Sequence, residues 1–199
     1  MGWTYLYKQV RDVKAYLEGP QGIFRCSTPG YSYTVVDSAM VGSTYYAAVR
    51  HVTPEQPAGY VFGAIVLTRN PASGFGWKDM DESMGPYEVA CPLRILNKLT
   101  PIENMPGGAA RNDYAAQWRE NVRQYHRDRA GRTATAKAFR AGDMLRLPEP
   151  IRFRSGLTAD TFTVQVITRQ GRKQTIYTTP GGSWCRIPQR LLAGAVKLA

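Results

Sequence analysis

The chain has 199 residues, a formal net charge of +11, and hydrophobic and charged fractions of 43% and 21%. These values are typical of a folded protein that is long enough to bury a core, in one large domain or two small ones. Because no apolar run approaches the roughly 18 residues of a membrane span, and no secretory leader pattern is present, we expect a cytoplasmic protein that does not contact membranes.

The positive charge is concentrated in the C-terminal part of the chain. Residues 1–108 contain 9 basic and 9 acidic side chains, whereas residues 109–199 contain 17 basic and 6 acidic ones. Such an asymmetry favours a polyanionic partner for the basic part, with nucleic acid as the first choice. The alternative is a solvated basic surface that has no specific partner.

The cysteines give no sign of a metal site. Cys26, Cys91 and Cys185 are far apart and form no Cys-x-x-Cys pair, and the chain has two histidines, His51 and His126. A structural zinc site needs closely spaced pairs of ligands. We therefore predict free thiols in a reducing cytosol, no metal and no cofactor.

The N-terminal part has the pattern of an antiparallel sheet with a helix on one face. An alternating aromatic run at 3–7 predicts a strand, and helical spacing at 12–18 predicts a short helix. The β-rich runs 31–40 and 43–52 predict a hairpin. The most apolar run, 60–67, is predicted to be the central strand.

The segment 71–92 follows this sheet and precedes a short helix that is predicted to begin at Pro92. It contains three glycines and three prolines. This punctuation predicts a long irregular loop, and such loops are often functional. The candidate ligand-binding side chains of the loop are Trp77, Lys78, Asp79, Asp81 and Glu82.

Three interpretations of the 74–91 loop remain open at this point. It is a structural clasp in which Trp77 plugs the sheet, a binding site for a small or nucleotide-like ligand, or a catalytic site with carboxylates as acid and base. The acids do not follow the pattern of an EF-hand. Cys91 is a further candidate nucleophile because a helix N-terminus lowers the pKa of a thiol, but no histidine base is identifiable beside it.

A basic amphipathic helix is predicted after this loop, with Asn112 or Asp113 as its cap and Ala130-Gly131 at its end. Three arginines recur on one face at i, i+4 and i+8: Arg119, Arg123 and Arg127. This spacing is compatible with a phosphate-binding face and equally with a solvated face that offsets the helix dipole.

The remaining residues contain five short alternating runs separated by turn signals, which predict a small β-barrel or β-sandwich. Such barrels bind nucleic acid by stacking bases on aromatic rings while basic side chains follow the backbone. Trp184 is either such a ring or part of the core. The predicted nucleic-acid-binding side chains are Arg119, Arg123, Arg127, Arg169, Arg172, Lys173 and Trp184.

Four short motifs carry a resemblance to a known family: Met1-Gly2-Trp3, the string Gly-Trp-Lys-Asp-Met-Asp-Glu at 76–82, Cys91-Pro92 and Trp118-Arg119. In these motifs the chain resembles an uncharacterised family of bacterial and phage- or plasmid-borne proteins. The resemblance covers roughly the first 125 residues well and the β-rich remainder less clearly. It implies a prokaryotic or mobile-element setting and a cytosolic location, but no activity and no catalytic residue.

Together these features predict an α+β fold. Residues 1–131 form an α+β domain with an antiparallel sheet and a final basic helix, and residues 132–199 form a small basic β-domain. The leading hypothesis is a non-enzymatic nucleic-acid-binding or accessory protein of a prokaryotic mobile element, whose basic C-terminal half contacts phosphates. The alternatives are an enzyme with its site in the 74–91 loop, and a protein–protein inhibitor or accessory factor with an acidic partner.

Overall fold

The computed structural model describes residues 2–169 and 171–198, apart from the side chains of residues 132–138, 172, 173 and 189. Within these residues the chain forms two five-stranded antiparallel sheets and three α-helices. The predicted α+β fold class is confirmed.

The first sheet lies in the N-terminal part of the chain. Its strands are β1 (Thr4–Leu6), β2 (Ser32–Val41), β3 (Thr44–Thr53), β4 (Gln56–Arg69) and β5 (Phe75–Asp81). Their order across the sheet is β1-β5-β4-β3-β2, so the apolar run at 60–67 lies in the middle strand, as predicted. Two α-helices, α1 (Val13–Glu18) and α2 (Leu93–Leu96), and a 3-10 turn (Ile102–Asn104) accompany the sheet.

Local sequence explains the first elements of this sheet. The Asp12 side chain caps α1 by accepting a hydrogen bond of 2.9 Å from the backbone N–H of Ala15. The predicted hairpin of β2 and β3 turns at Gly42, whose φ of 61° lies in the left-handed region that glycine adopts without strain. These predictions are confirmed to within a residue or two at each end.

The prediction of an irregular loop over 71–92 is wrong for residues 75–81, which form β5. This strand pairs with β4 along one edge and with β1 along the other. The glycine at position 76 reflects close packing: a Cβ there would lie 2.9 Å from Cε1 of Tyr5 on the neighbouring strand. Glycine in a strand often marks such a close approach, and in the sequence it looks the same as a loop signal.

The two faces of the first sheet are covered by different elements. On one face, Tyr46 and Ile65 pack with Ile95 of α2 and with Trp118 and Val122. The core on the opposite face comprises Leu17 of α1 together with Tyr45, Ala47, Val49, Val66 and Phe75. Neighbouring residues of a strand enter opposite cores because strand side chains alternate between the faces. The sheet is therefore the middle layer of this part of the chain.

The basic helix α3 runs from Ala109 to Ala138 and is longer than predicted at both ends. The predicted cap at Asn112 or Asp113 is wrong, because both residues lie inside the helix. The predicted end at Ala130-Gly131 is also wrong. A glycine in a helix costs only about 1 kcal/mol relative to alanine, and the alanine-rich sequence that follows favours continuation.

The second sheet contains β6 (Met144–Arg152), β7 (Thr158–Arg169), β8 (Arg172–Thr178), β9 (Trp184–Cys185) and β10 (Val196–Leu198), in the order β10-β6-β7-β8-β9. In the described residues this sheet is open at β10 and β9 and is not closed into a barrel. Leu145, Phe162, Val164 and Tyr177 form its core with Leu192, which belongs to a 3-10 turn (Gln189–Leu192).

The chain divides into two compact units, residues 1–126 and 127–199, and the division falls inside α3. The predicted domain boundary at residue 131 lies five residues further along the same helix. Residues 127–199 contain 14 basic and 4 acidic side chains, so the second unit carries a formal charge of +10. Independent folding of the two units stays a prediction.

Candidate functional site

Two of the predicted ligand-binding groups, Trp77 and Lys78, are side chains of β5. The Trp77 ring stacks on Phe75 at 5.5 Å between centroids and meets the Tyr16 ring of α1 edge-on at 6.0 Å. Trp77 thus packs against the core beneath α1, which agrees with the structural interpretation of this residue. Lys78 is half-buried.

Glu82 and Arg119 form a buried ion pair in the N-terminal unit. Arg119 donates from Nε to Oε2 of Glu82 at 2.6 Å and from Nη2 to Oε1 at 2.9 Å. The side chain of Arg119 is 6% exposed and that of Glu82 is 2% exposed. A pair of such short, two-point hydrogen bonds is the geometry that compensates the desolvation of both charges.

The remaining polar atoms of this pair are also occupied. Arg119 donates to the carbonyl oxygen of Thr100 at 2.6 Å, and Oε1 of Glu82 accepts from the backbone N–H of Gly63 at 3.2 Å. The prediction that Arg119 contacts phosphate is not supported, because its guanidinium is buried and donates to Glu82, Thr100 and Met105. Glu82 is likewise no longer a candidate ligand group, because Arg119 and Gly63 occupy its carboxylate oxygens.

Asp79 and Asp81 lie on one side of β5, opposite Val66 and Ala64 of β4. The two oxygens of Asp81 are occupied: Oδ2 accepts from Arg111 Nη2 at 2.9 Å, and Oδ1 accepts from the backbone and hydroxyl of Ser83 at 2.9 and 2.5 Å. Asp79 is exposed and has no hydrogen bond or ion pair within the described residues. These two acids therefore stay candidate ligand groups.

Cys91 is not an activated nucleophile. Its side chain is fully buried, and burial raises the pKa of the thiol to about 12. Its carbonyl oxygen accepts a hydrogen bond of 2.8 Å from Nε2 of His126. The pKa of the thiol is thus raised instead of lowered as predicted, first by burial and then by the Glu82 carboxylate.

His51 belongs to an aromatic cluster on the α1 side of the first sheet. Its ring stacks on Tyr33 at 4.4 Å between centroids, and its Nδ1 lies 3.2 Å from the Tyr60 hydroxyl. Burial lowers the pKa of His51, and the nearby Arg111 guanidinium lowers it further. His51 Nε2 is buried without a hydrogen-bond partner in the described part of the chain.

The other two predicted helix arginines, Arg123 and Arg127, are exposed. Nη1 of Arg123 lies 3.6 Å from the Glu120 carboxylate, one turn earlier on the helix. An exposed pair at this distance is weak, so it leaves the Arg123 side chain available for another anion. Both residues stay predictions as phosphate contacts.

The second sheet brings several predicted side chains to one face, which we call the outer face. Met144, Thr163, Thr178 and Trp184 are register partners in one row across four strands. Because strand side chains alternate, Arg169 of β7 points to the same side as Thr163. Register and alternation place on the outer face Met144, Arg146, Thr163, Gln165, Ile167, Arg169, Gln174, Ile176, Thr178, Trp184, Arg186, Val196 and Leu198.

The outer face has exposed basic side chains, but it also includes apolar residues, of which Ile176 is buried at 5% exposure. Trp184 is 67% exposed, so the alternative of a core tryptophan is wrong. Arg146 pairs with Asp160 at 2.9 Å, and Arg186 donates to Gln174 at 3.1 Å. The other two predicted side chains of this region, Arg172 and Lys173, lie outside the described side chains.

The structure adds several residues that the sequence analysis does not identify. Arg111 fixes Asp81, and Tyr33, Phe62 and Met84 surround the two acids of β5. The sequence gives one indication of the position of Tyr33 and Phe62. Strand alternation assigns each ring to one side of its own strand, in runs 31–40 and 60–67. Nothing in the sequence indicates that Arg111 pairs with Asp81, which lies 30 positions earlier.

The described residues contain neither a metal-binding cluster nor a helix that could cross a membrane. No three His, Cys, Asp or Glu side chains in residues 2–169 and 171–198 come together as a metal-binding group. No described helix is both long and apolar enough to cross a membrane.

Comparison with known proteins places part of the chain near an uncharacterised family. No curated protein and no solved structure matches the chain. Residues 109–190 match the model of a family described as "Domain of unknown function (DUF6927)". The match covers α3 and most of the second sheet, where the predicted resemblance is weaker than in the first 125 residues. In this region the chain is therefore similar to an uncharacterised family, in agreement with the prediction, and the family's description names no activity.

Proposed function

We propose that the C-terminal unit binds single-stranded nucleic acid on the outer face of its sheet. The observation that carries the proposal is the position of Trp184, an exposed tryptophan on the same face of the sheet as Arg146, Arg169 and Arg186. An exposed aromatic ring stacks on a base, and arginines around it neutralise the neighbouring phosphates.

The charge of the unit supports this proposal. A formal charge of +10 on residues 127–199 gives long-range attraction for a polyanion, and few acids are present to offset it. Asp160 and Asp143 each pair with one basic side chain, Arg146 and Lys197, at 2.9 and 2.7 Å. Ion pairs at exposed positions are weak, so phosphate can compete for these cations.

A single strand suits the outer face better than a duplex. Stacking on Trp184 requires an unpaired base, because the bases of a duplex are already stacked on each other. Beside Trp184, the register row continues with Thr178 and Thr163, which are short side chains and form no bulky projection that would fit a groove. The setting in a bacterial, phage or plasmid genome and a non-enzymatic role remain part of the proposal.

The test is fluorescence anisotropy of the full-length protein with labelled single-stranded oligonucleotides at low salt. Replacing Trp184 by alanine removes the stacking ring and is expected to weaken binding by about 1–3 kcal/mol. The matched control is Trp3→Ala, which removes a partly exposed tryptophan from the N-terminal unit. It is expected to leave the affinity unchanged.

Three outcomes oppose the proposal. The protein does not bind the oligonucleotides at low salt, Trp184→Ala binds as tightly as the parent protein, or polyglutamate binds as tightly as the oligonucleotide. The last outcome would favour the alternative of an acidic protein partner, because polyglutamate supplies negative charge without bases. Circular dichroism of Trp184→Ala checks that the variant is folded, as expected for an exposed residue of a two-residue edge strand.

A further inference from the structure

A cavity of about 270 Å³ opens on the α1 side of the first sheet, far in sequence from the outer face. Ala64 of β4 lies at its floor, where a short side chain leaves space between Phe62 and Val66. Phe24 and Tyr33 contribute aromatic walls. The volume is slightly below the range of about 300–1,000 Å³ that is usual for drug-sized ligands, so the cavity suits a smaller molecule.

The charged groups of this cavity are the two acids of β5. Asp79 and Asp81 both line it, and they are next-but-one neighbours on the same side of the strand. Arg111 neutralises Asp81, but Asp79 has no cationic partner among the described residues. One carboxylate at the edge of the cavity therefore remains uncompensated, and an anionic ligand would be repelled by it.

The aromatic walls have the chemistry to bind a cation as well. The Tyr33 and Phe62 rings meet edge-on with 6.4 Å between their centroids. The faces of aromatic rings attract an ammonium group, and the attraction adds to that of a nearby carboxylate. Because one face of Tyr33 is already stacked on His51, Phe24 and Phe62 are the rings that supply this attraction in the cavity. Aromatic walls, an apolar floor and one free carboxylate match a molecule that has a positive head and an apolar body.

We propose that this cavity binds a small organic ammonium ion with an apolar body. Asp79 accepts hydrogen bonds from the ammonium group, while the apolar part covers Ala64 and Phe62. Asp81, which is held by Arg111 and Ser83, lines the site beside Asp79 and shapes it without being the main acceptor. This proposal is independent of nucleic-acid binding by the second sheet.

The test is isothermal titration calorimetry of the full-length protein with 2-phenylethylamine. Two molecules of nearly the same shape, 2-phenylethanol and phenylacetate, replace the ammonium group by a neutral and by an anionic group. We expect the amine to bind, the alcohol to bind at least about tenfold more weakly because the charged hydrogen bond is lost, and phenylacetate not to bind.

Two variants locate the binding. Asp79→Asn keeps the size of an exposed side chain and removes its charge, and it is expected to weaken binding of the amine at least about tenfold. Ala64→Val narrows the cavity without changing charge and is expected to weaken binding of the amine and the alcohol together. Glu103→Gln, at an exposed acid outside the cavity, is the matched control and is expected to change nothing.

The proposal is overturned if 2-phenylethylamine does not bind, or if the alcohol or the acid binds as tightly as the amine. It is also overturned if Asp79→Asn and Glu103→Gln have the same affinity for the amine. Binding of Mg²⁺ or Ca²⁺ that depends on Asp79, in the absence of amine binding, would replace the organic cation by an inorganic one and would equally contradict the proposal.

Discussion

The guanidinium of Arg119 donates two hydrogen bonds, of 2.6 and 2.9 Å, to the carboxylate of Glu82 inside the N-terminal unit. This pair joins α3 to the turn that follows β5, and through Gly63 to the central strand. Breaking a buried ion pair by removing one charge is severe because the other charge stays buried without compensation.

We therefore predict that Glu82→Gln lowers the free energy of unfolding by about 3–5 kcal/mol. Urea unfolding of the full-length protein, followed by tryptophan fluorescence, measures the change. The control is Glu120→Gln, which removes the exposed partner of Arg123 and is expected to cost about 0.5 kcal/mol or less. A loss for Glu82→Gln as small as that of the control would show that the pair does not stabilise the fold.

The packing of Gly63 gives a second prediction. A Cβ at this position would lie 3.1 Å from Cζ3 of Trp118 and 3.3 Å from Cβ of Glu82, both in the core. Gly63→Ala is expected to lower the free energy of unfolding by about 1–3 kcal/mol, because the tryptophan must shift. The same urea experiment measures it, and an unchanged midpoint would contradict the close packing of Trp118 against β4.

The opposite sign is expected for Gly131→Ala. Gly131 lies inside α3, and a Cβ there would meet no atom within 4 Å. The substitution is expected to raise the free energy of unfolding by about 0.5–1 kcal/mol, since alanine favours the helix more than glycine does. Destabilisation by Gly131→Ala would contradict a continuous helix at this residue.

The environment of His51 predicts a pH dependence. Its pKa in the folded protein lies below the ordinary value of 6.5, first because of burial and then because of the Arg111 charge. Between these two pKa values the unfolded chain binds a proton that the folded chain does not bind. The stability contributed by His51 is therefore complete above pH 6.5 and decreases as the pH falls from 6.5 towards the folded pKa.

An NMR titration of the His51 ring measures this pKa directly. Arg111→Gln is expected to raise it, because the substitution removes a repelling charge and leaves the Asp81 carboxylate unpaired. Lys14→Gln removes a positive charge from the exposed side of α1 and serves as the control. A His51 pKa at or above 6.5 in the parent protein, or no change in Arg111→Gln, would contradict the assignment.

The elements that can be predicted from sequence are those fixed by neighbouring residues. Asp12 caps α1 locally, Gly42 turns the first hairpin, and the apolar run at 60–67 marks β4 as the central strand. Strand β5 is not predictable in this way, because the reason for Gly76 is the ring of Tyr5, on a strand some 70 residues earlier. The sequence alone does not show whether a glycine is needed for a turn or for a close contact with a neighbouring strand.

The candidate sites are predictable to a similar extent. Trp184 and Arg169 are both exposed, but the sequence leaves open whether Trp184 belongs to the core, because alternation does not show which side of a short strand meets solvent. Arg119 is predicted on a basic helix face, although Glu82, 37 residues away, holds it in the core. Helical spacing shows which residues share a face, but only the tertiary fold decides whether that face meets solvent.

The central claim, that arginines of the outer face neutralise phosphates, is tested most directly by the salt dependence of oligonucleotide binding. The slope of log K against log salt is measured for the full-length protein and for the double variant Arg169→Gln/Arg186→Gln. Each phosphate of a single strand that is no longer neutralised reduces the slope by about 0.7, so a slope shallower by about 1.4 is predicted. Equal slopes for the two proteins would contradict the claim.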